Sequence, residues 1–91
     1  KDFKYIVLGD MLELGKYSIK YHKKVNKYLK KIKNKQVLLI GNYTKYIKGI
    51  HFNSIESLAS YLKNRDGIIY IKGSRNMNLN KLINYINHDI I

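Results

Sequence analysis

Short apolar runs alternate with longer, lysine-rich segments along this chain. The runs that predict strands are Lys4 to Leu8, Gln36 to Ile40 and Gly67 to Ile71, and a glycine follows each of them closely. Strands that alternate with helical segments are typical of βαβ units and of a mostly parallel sheet. The pattern therefore predicts a single small α/β domain whose sheet is flanked by helices. Because Gly67 to Ile71 is the most apolar run, it is predicted to be a central strand covered on both faces.

The first helix is predicted from Ser18 to Lys33, because apolar residues recur there at i, i+4, i+7, i+8 and i+11. The stripe predicted to be buried consists of Tyr21, Val25, Tyr28, Leu29 and Ile32. Lysines occupy the other face of this segment, which is typical of a solvated helix surface.

The middle of the chain predicts smaller elements and a second helix. A short helix or turn is expected from Tyr43 to Lys48, followed by a short strand from Ile50 to Phe52. Asn53 or Ser54 would cap the second helix, and Glu56 follows Asn53 by three residues, as in a capping box. The residues predicted to be buried on this helix are Ile55, Leu58, Ala59 and Leu62.

A last helix is predicted from Leu79 to Asn87, with Asn78 as its N-cap. Its predicted buried residues are Leu79, Leu82, Ile83 and Ile86. The N-terminus of this helix would add positive potential beside the loop that precedes it.

Two glycine-containing loops follow the first and the last predicted strand. Gly9 and Gly73 are expected to allow turns with positive φ and to let a ligand approach the backbone closely. The carboxyl ends of parallel strands form the crevice in which α/β proteins bind their ligands. Both loops are therefore expected to face one site.

The polar side chains near these strand ends have complementary chemistry. Asp10 and Glu13 would accept hydrogen bonds from hydroxyl groups, for example those of a ribose. Lys72 and Arg75 would bind a phosphate or a carboxylate, arginine in bidentate fashion. Asn42 follows the second strand and is a further candidate for ligand contact.

Residues 7–15, Val-Leu-Gly-Asp-Met-Leu-Glu-Leu-Gly, resemble the opening of the C-terminal domain of the Mur ligases. Residues 72–77, Lys-Gly-Ser-Arg-Asn-Met, resemble a late loop of that domain, and His51 with Phe52 resembles its middle segment. The resemblance extends over essentially all 91 residues. It is closest to the members that add D-alanyl-D-alanine to UDP-N-acetylmuramoyl-tripeptide. It departs at Asn76, where the family often has a second glycine, and in the short, lysine-rich middle.

The resemblance implies a Rossmann-like domain of an ATP-dependent ligase that forms a peptide bond in peptidoglycan precursor synthesis. In such a three-domain enzyme the C-terminal domain closes over ATP, which the central domain holds, and it presents the incoming amino-acid substrate. The positions that match the ATP-binding loop are Gly9, Asp10 and Met11. Those that match the substrate-binding loops are Asn42, Lys72, Gly73, Ser74, Arg75 and Met77.

The same resemblance implies which partners the longer enzyme would have. ATP and Mg²⁺ would bind mainly to the central domain, and the substrates would be D-alanyl-D-alanine and UDP-N-acetylmuramoyl-tripeptide. The 91-residue chain would contact the central domain but would carry no catalytic residue, so it is expected to be inactive alone. It lacks the Gly-x-x-x-x-Gly-Lys-Ser/Thr loop that cradles nucleotide phosphates.

The net charge of +12 is the expected electrostatic signature of a nucleic-acid-binding protein. Arg65 and Arg75 are, however, the only arginines among the 18 basic residues. Arginine is favoured at base edges and at bidentate phosphate contacts, so no nucleic-acid partner is expected. A small basic nucleic-acid-binding α/β module is kept as an alternative, as is a related Mur-type ligase with another amino-acid acceptor.

Composition and histidine positions exclude several kinds of site. The chain has no cysteine, which excludes disulfides and thiolate metal sites. His22, His51 and His88 are scattered, so no metal site is predicted, and His22 is expected to be a packed helix histidine. No apolar run is long enough to span a bilayer, and no signal peptide pattern is present. A cytoplasmic protein without a membrane partner is expected.

Overall fold

The computed structural model describes residues 3–74 and 77–87. In this part of the chain, four parallel strands form one sheet with helices on both faces, which confirms the predicted α/β Rossmann-like fold. The strands are β1 (Lys4–Gly9), β2 (Lys35–Ile40), β3 (Ile50–Phe52) and β4 (Ile68–Lys72), and the helices are α1 (Ser18–Leu29), α2 (Ile55–Leu62) and α3 (Lys81–Asn87). Short 3₁₀ turns lie at Leu12–Tyr17 and Tyr43–Tyr46.

The strand order is β3-β2-β1-β4, which places β1 inside the sheet with a partner on each side. Val7 is level with Leu38 of β2 and with Ile71 of β4. Because all the strands run in the same direction, their carboxyl ends share one edge of the sheet. Gly9, Ile40 and Lys72 end their strands at this edge, and the segments that follow them come together there.

Apolar side chains of the sheet alternate between two cores. On one face, α2 and α3 cover β1 and β2, and Val7 and Leu58 are completely buried in this core. On the opposite face, α1 covers β1 and β2, with Leu29 packed beside Leu39 in the second core. The sheet is therefore held from both sides, which fixes the geometry of its carboxyl edge.

The prediction that the last strand is central was wrong, because β4 lies at the end of the strand order. Ile68 and Tyr70, which alternate onto the α1 face, are 45% and 52% exposed. The core beneath α1 includes no residue of β4. The apolar character of this run thus reflects one buried face, formed by Ile69 and Ile71, and a second face that α1 does not reach.

The prediction for α1 was correct in position but wrong in its end. In the predicted buried stripe, Leu29 is buried and Val25 and Ile32 pack against the same core, whereas the two tyrosines were wrongly predicted. The helix ends at Leu29, and the following backbone hydrogen bonds tighten to i→i−3 spacing, as from Lys31 to Tyr28. Tyr28 is 55% exposed and Tyr21 is also exposed, whereas His22 is completely buried. Tyr21 and Tyr28 instead line a cleft with Met11 and Leu14 of the loop after β1.

The second helix is capped by Ser54, whose side chain accepts a hydrogen bond from the backbone N–H of Ser57 at 3.1 Å. The predicted capping box of Asn53 and Glu56 was wrong, because Glu56 accepts a hydrogen bond from the Tyr85 hydroxyl at 2.9 Å. This contact joins α2 to α3. A backbone hydrogen bond and, after it, this contact lower the pKa of Glu56, and the contact raises the pKa of Tyr85.

The last helix begins at Lys81, two residues later than predicted, and Leu79 and Leu82 are buried as expected. Asn78 has a φ of +53° and lies outside the helix, so its predicted capping role was wrong. Ile83, predicted to be buried, is exposed. The side chain of Ile86 lies outside the described residues, as does His88.

Candidate functional site

The loops that follow β1 and β4 lie side by side at the carboxyl edge of the sheet. The backbone N–H of Ser74 donates a hydrogen bond to the carbonyl of Asp10 at 3.0 Å. This contact shows that the two glycine-containing loops are adjacent, and that they face one ligand site stays a prediction. The turn that follows β2 joins them through the side chain of Asp10.

The buried Asp10 carboxylate holds the turn that follows β2 at the carboxyl edge of the sheet. The side chain is only 3% exposed, and its oxygens accept the backbone N–H groups of Asn42 at 2.8 Å, Tyr43 at 2.8 Å and Thr44 at 3.1 Å. It therefore caps the 3₁₀ turn that follows β2. The donors lie more than thirty positions away in sequence, so no local pattern could have predicted this role.

Glycine is required at positions 9 and 73 mainly because a larger side chain would not fit there. The prediction of positive φ at Gly9 and Gly73 was wrong, because positive φ occurs instead at glycines including Gly41, where φ is +130°. A Cβ at Gly73 would lie 2.7 Å from Leu79 Cδ1 and 3.2 Å from Gly9 Cα. The space beside both backbones is thus filled by the chain's own side chains, including Met77.

Ser74 connects the two loops through its side chain. Its hydroxyl accepts the backbone N–H of Leu12 at 2.6 Å and donates to the carboxylate of Glu13. The hydrogen bond from Ser74 is the largest of the causes that hold the pKa of Glu13 below its usual value, and the charge of Lys72 adds to it. The ionised form of Glu13 accepts this bond, so the contact is present at neutral pH and is lost as the pH falls through that lowered pKa.

His22 of α1 holds the loop that follows β1 through a hydrogen bond. Its Nε2 accepts the backbone N–H of Met11 at 3.1 Å, so Nδ1 carries the proton and donates to the carbonyl of Ser18 at 2.6 Å. The expected packed helix histidine is confirmed. His51 lies apart from it, with Nε2 3.0 Å from the Thr44 carbonyl.

We expect His22→Leu to lower the free energy of unfolding by about 2 kcal/mol, because the part-buried backbone N–H of Met11 loses its acceptor. Urea denaturation followed by circular dichroism measures the change. His51→Leu is the matched control and should cost less than about 1 kcal/mol, since His51 is exposed. Equal losses for both variants would contradict the anchoring role of His22.

Two kinds of feature are absent from the part of the chain that the structure describes. Residues 3–74 and 77–87 contain no group of three or more histidine, aspartate or glutamate side chains that could hold a metal ion. None of the helices within the same ranges is long and apolar enough to cross a membrane.

A cleft of about 580 Å³ opens beside the Ser74 loop. Lys72 and Asn80 provide polar groups, and Leu79 and Ile83 provide apolar surface. The complete lining is Ile71, Lys72, Gly73, Ser74, Asn78, Leu79, Asn80 and Ile83. Asn78, Asn80 and Ile83 were not predicted as site residues, although Asn78 and Asn80 follow the glycine-containing loop closely in sequence.

The predicted site residues do not all lie at this cleft. Lys72, Gly73 and Ser74 line the cleft, whereas Met77 packs against the core and contacts Gly9. Met11 lies on the other side of the first loop and lines a second cleft of about 320 Å³ with Leu14 and residues of α1. Asn42 lies beside Asp10 with its side chain exposed. Arg75 lies outside the described residues.

No protein-family model matches the chain. It is similar to the UDP-N-acetylmuramoyl-tripeptide–D-alanyl-D-alanine ligase of Rickettsia prowazekii, with 33% identity over 92% of this chain and 21% of that protein. It is also 31% identical to the enzyme of the same name from Buchnera aphidicola subsp. Acyrthosiphon pisum, over 89% of this chain and 20% of that protein. The chain therefore spans about a fifth of the length of these relatives.

The fold is similar to that of the MurF ligase from Thermotoga maritima, whose crystal structure is a complex with ADP. The TM-score is 0.82 at 20% sequence identity, and the similarity covers 99% of this chain and 23% of that one. Nearly all of the described sheet and helices thus have counterparts in one region of a larger protein.

Proposed function

The chain belongs to the Mur ligase family, as a MurF-like domain, and from this premise we propose that it is the C-terminal, lid-like domain of a longer three-domain enzyme. That enzyme uses ATP to join D-alanyl-D-alanine to UDP-N-acetylmuramoyl-tripeptide in the cytoplasm. The observation that supports the proposal is the junction of the two loops at Ser74, because the loop proposed to contact the nucleotide and the loop proposed to contact the acceptor are hydrogen-bonded to each other at one edge of the sheet.

The cleft beside Ser74 has the chemistry that D-alanyl-D-alanine requires. The ammonium group of Lys72 pairs with the terminal carboxylate of the dipeptide. The apolar surface of Leu79 and Ile83 accommodates its methyl groups, and Asn80 offers both a donor and an acceptor to its peptide group. Asn42 and Arg75, which match the substrate-binding loops of the family in sequence, are proposed to contact the acceptor as well.

Gly9, Asp10 and Met11 are proposed to form the nucleotide side of the lid. The Asp10 carboxylate already accepts hydrogen bonds from three backbone N–H groups. One lone-pair position of the carboxylate is left for a ribose hydroxyl. Asp10 therefore acts first by holding the turn that carries Asn42, and its contact with ribose stays a prediction. Mg²⁺ and the ATP phosphates are assigned to the part of the enzyme outside this chain.

The contribution of this domain to the reaction is positional. ATP supplies the phosphoryl group that activates the carboxylate of the nucleotide-linked substrate. Lys72 and the cleft hold the dipeptide so that its amine meets that carboxylate, which makes the bond-forming step effectively unimolecular. Closure of the domain also excludes water, which would otherwise hydrolyse the activated substrate.

The proposal is tested by assaying phosphate release by the full-length enzyme with ATP, Mg²⁺ and UDP-N-acetylmuramoyl-tripeptide. We expect release to require D-alanyl-D-alanine rather than single amino acids. Release that depends on another acceptor would contradict the dipeptide assignment and support the related ligase. Absence of ATP-dependent activity with every acceptor would contradict the ligase proposal.

We expect Lys72→Met to raise the KM for D-alanyl-D-alanine at least about tenfold, because a charge-assisted hydrogen bond contributes about 1.5–3 kcal/mol. The KM for ATP should change less than about twofold. Lys27→Met, on the exposed face of α1, removes a charge at a distance from the cleft and should leave both constants unchanged. Equal effects on both substrates would place Lys72 outside the acceptor site.

A further inference from the structure

The side chain of Ser74 touches both halves of the proposed site. It lines the acceptor cleft, and its hydroxyl binds Leu12 and Glu13 of the first loop. Its backbone N–H is also bound to the Asp10 carbonyl at 3.0 Å. A change in the position of Ser74 must therefore move or break contacts of the first loop.

The first loop has two anchors of different character. At Met11 it is held by His22, which is completely buried, so this anchor is rigid. At Glu13 it is held by the Ser74 hydroxyl at the protein surface, where water competes for both groups. The second anchor is weak enough for a ligand in the cleft to strengthen or release it.

We infer that Ser74 is a positioning residue that couples the two ligand sites, so that the acceptor in the cleft raises the affinity of the first loop for the nucleotide. This inference rests on the proposed function. A ligand that fixes Ser74 also fixes the N–H of Leu12 and the carboxylate of Glu13, and the nucleotide then binds a loop that is already ordered. By linkage, the nucleotide raises the affinity for the acceptor by the same factor.

The test measures binding of the β,γ-imido analogue of ATP to the full-length enzyme, by calorimetry with Mg²⁺ and UDP-N-acetylmuramoyl-tripeptide, with and without D-alanyl-D-alanine. In the unmodified enzyme, the dipeptide should lower the Kd of the nucleotide by about fivefold or more. In Ser74→Ala, this factor should fall to about one. Ser60→Ala, on the exposed face of α2, is the matched control and should keep the full factor.

Glu13→Ala provides a second variant that removes only the acceptor of the Ser74 hydroxyl. It should reduce the coupling factor, and the double variant with Ser74→Ala should show no further loss. In the 91-residue chain, amide exchange should accelerate at Leu12 in Ser74→Ala and stay unchanged at Met11, which His22 holds.

The outcomes separate the two proposals. If the unmodified enzyme binds neither ligand, the proposed function fails and the inference fails with it. If it binds both, and Ser74→Ala retains the coupling factor of the unmodified enzyme, the inference alone is overturned. An unchanged exchange rate at Leu12 would also overturn it, because the hydroxyl would then not hold the loop.

Discussion

Asp10→Ala is expected to lower the free energy of unfolding by about 4 kcal/mol, the largest effect of any single side chain at the carboxyl edge. The variant leaves the N–H groups of Asn42, Tyr43 and Thr44 without their acceptor, and of these the first two are part-buried and that of Thr44 is buried. Hydrogen bonds to a charged group contribute about 1.5–3 kcal/mol each, and three bonds to one carboxylate do not add fully. The turn after β2 should lose its fixed position.

Urea denaturation of the chain measures this loss, and Asp66→Ala is the matched control because it removes an exposed carboxylate. The control should change stability by less than about 0.5 kcal/mol. Asp10→Asn keeps one acceptor oxygen and should fall between the two. If Asp10→Ala were as mild as the control, the carboxylate would not hold the turn, and its main role would have to be ligand contact.

Gly41→Ala is expected to destabilise the chain by about 3 kcal/mol. The backbone of Gly41 has a φ of +130°, which disfavours any residue with a Cβ. The added Cβ would also lie 2.5 Å from Asp10 Oδ1 and 2.6 Å from Asp10 Cγ. The methyl group must therefore displace the buried carboxylate from the N–H groups that it holds.

Gly15→Ala separates the two causes, because Gly15 has a φ of +55° and nothing lies within 4 Å of its added Cβ. This control should cost about 1 kcal/mol, the backbone contribution alone. The destabilisation by Gly41→Ala in excess of that by Gly15→Ala then measures the free energy of displacing the Asp10 carboxylate. Equal costs at both glycines would show that Asp10 moves aside freely, contrary to the tight junction described here.

Much of the fold could be predicted from the sequence, because its signals are local. The alternation of apolar runs with amphipathic segments located β1, β2, β3 and all three helices, with bounds that differ by a few residues. The order of the strands in the sheet, however, depends on contacts between residues that are distant in sequence. The run at Ile68–Lys72 is equally apolar whether it lies inside the sheet or at its end, so its edge position could not be derived from composition.

The prediction of the buried residues of α1 was wrong in part for a related reason. Periodicity identified an apolar side that includes Tyr21 and Tyr28, but a helix buries only the part of that side that the sheet meets. Here α1 lies over β1 and β2, so Leu29 is buried and the tyrosines lie at the rim. Tyrosine tolerates such a position because its hydroxyl can stay in water.

The candidate site was predictable in its location but not in its internal bonds. Glycine and polar residues directly after two strands indicated the carboxyl edge, and Lys72 and Ser74 line the cleft there. The role of Asp10 as a backbone cap depends on Asn42 and the residues after it, which only the fold brings near. A carboxylate directly after a strand can bind a ligand or can stabilise the fold, and only its hydrogen-bond partners distinguish the two roles.

The position of β1 between β2 and β4 also has a consequence for the order of events during synthesis. Lys4 pairs with Lys35 on one side and with Ile68 on the other, so β1 is fully paired only after β4, the last of the four strands to be synthesised, is available. The pairing with Ile68 closes a longer loop, which costs more chain entropy and forms more slowly. The turn held by Asp10 can assemble once β2 has emerged, whereas the Lys72 cleft requires β4. The turn after β2 and the cleft beside Ser74 are thus completed at different times, and the cleft is the last of the two to form.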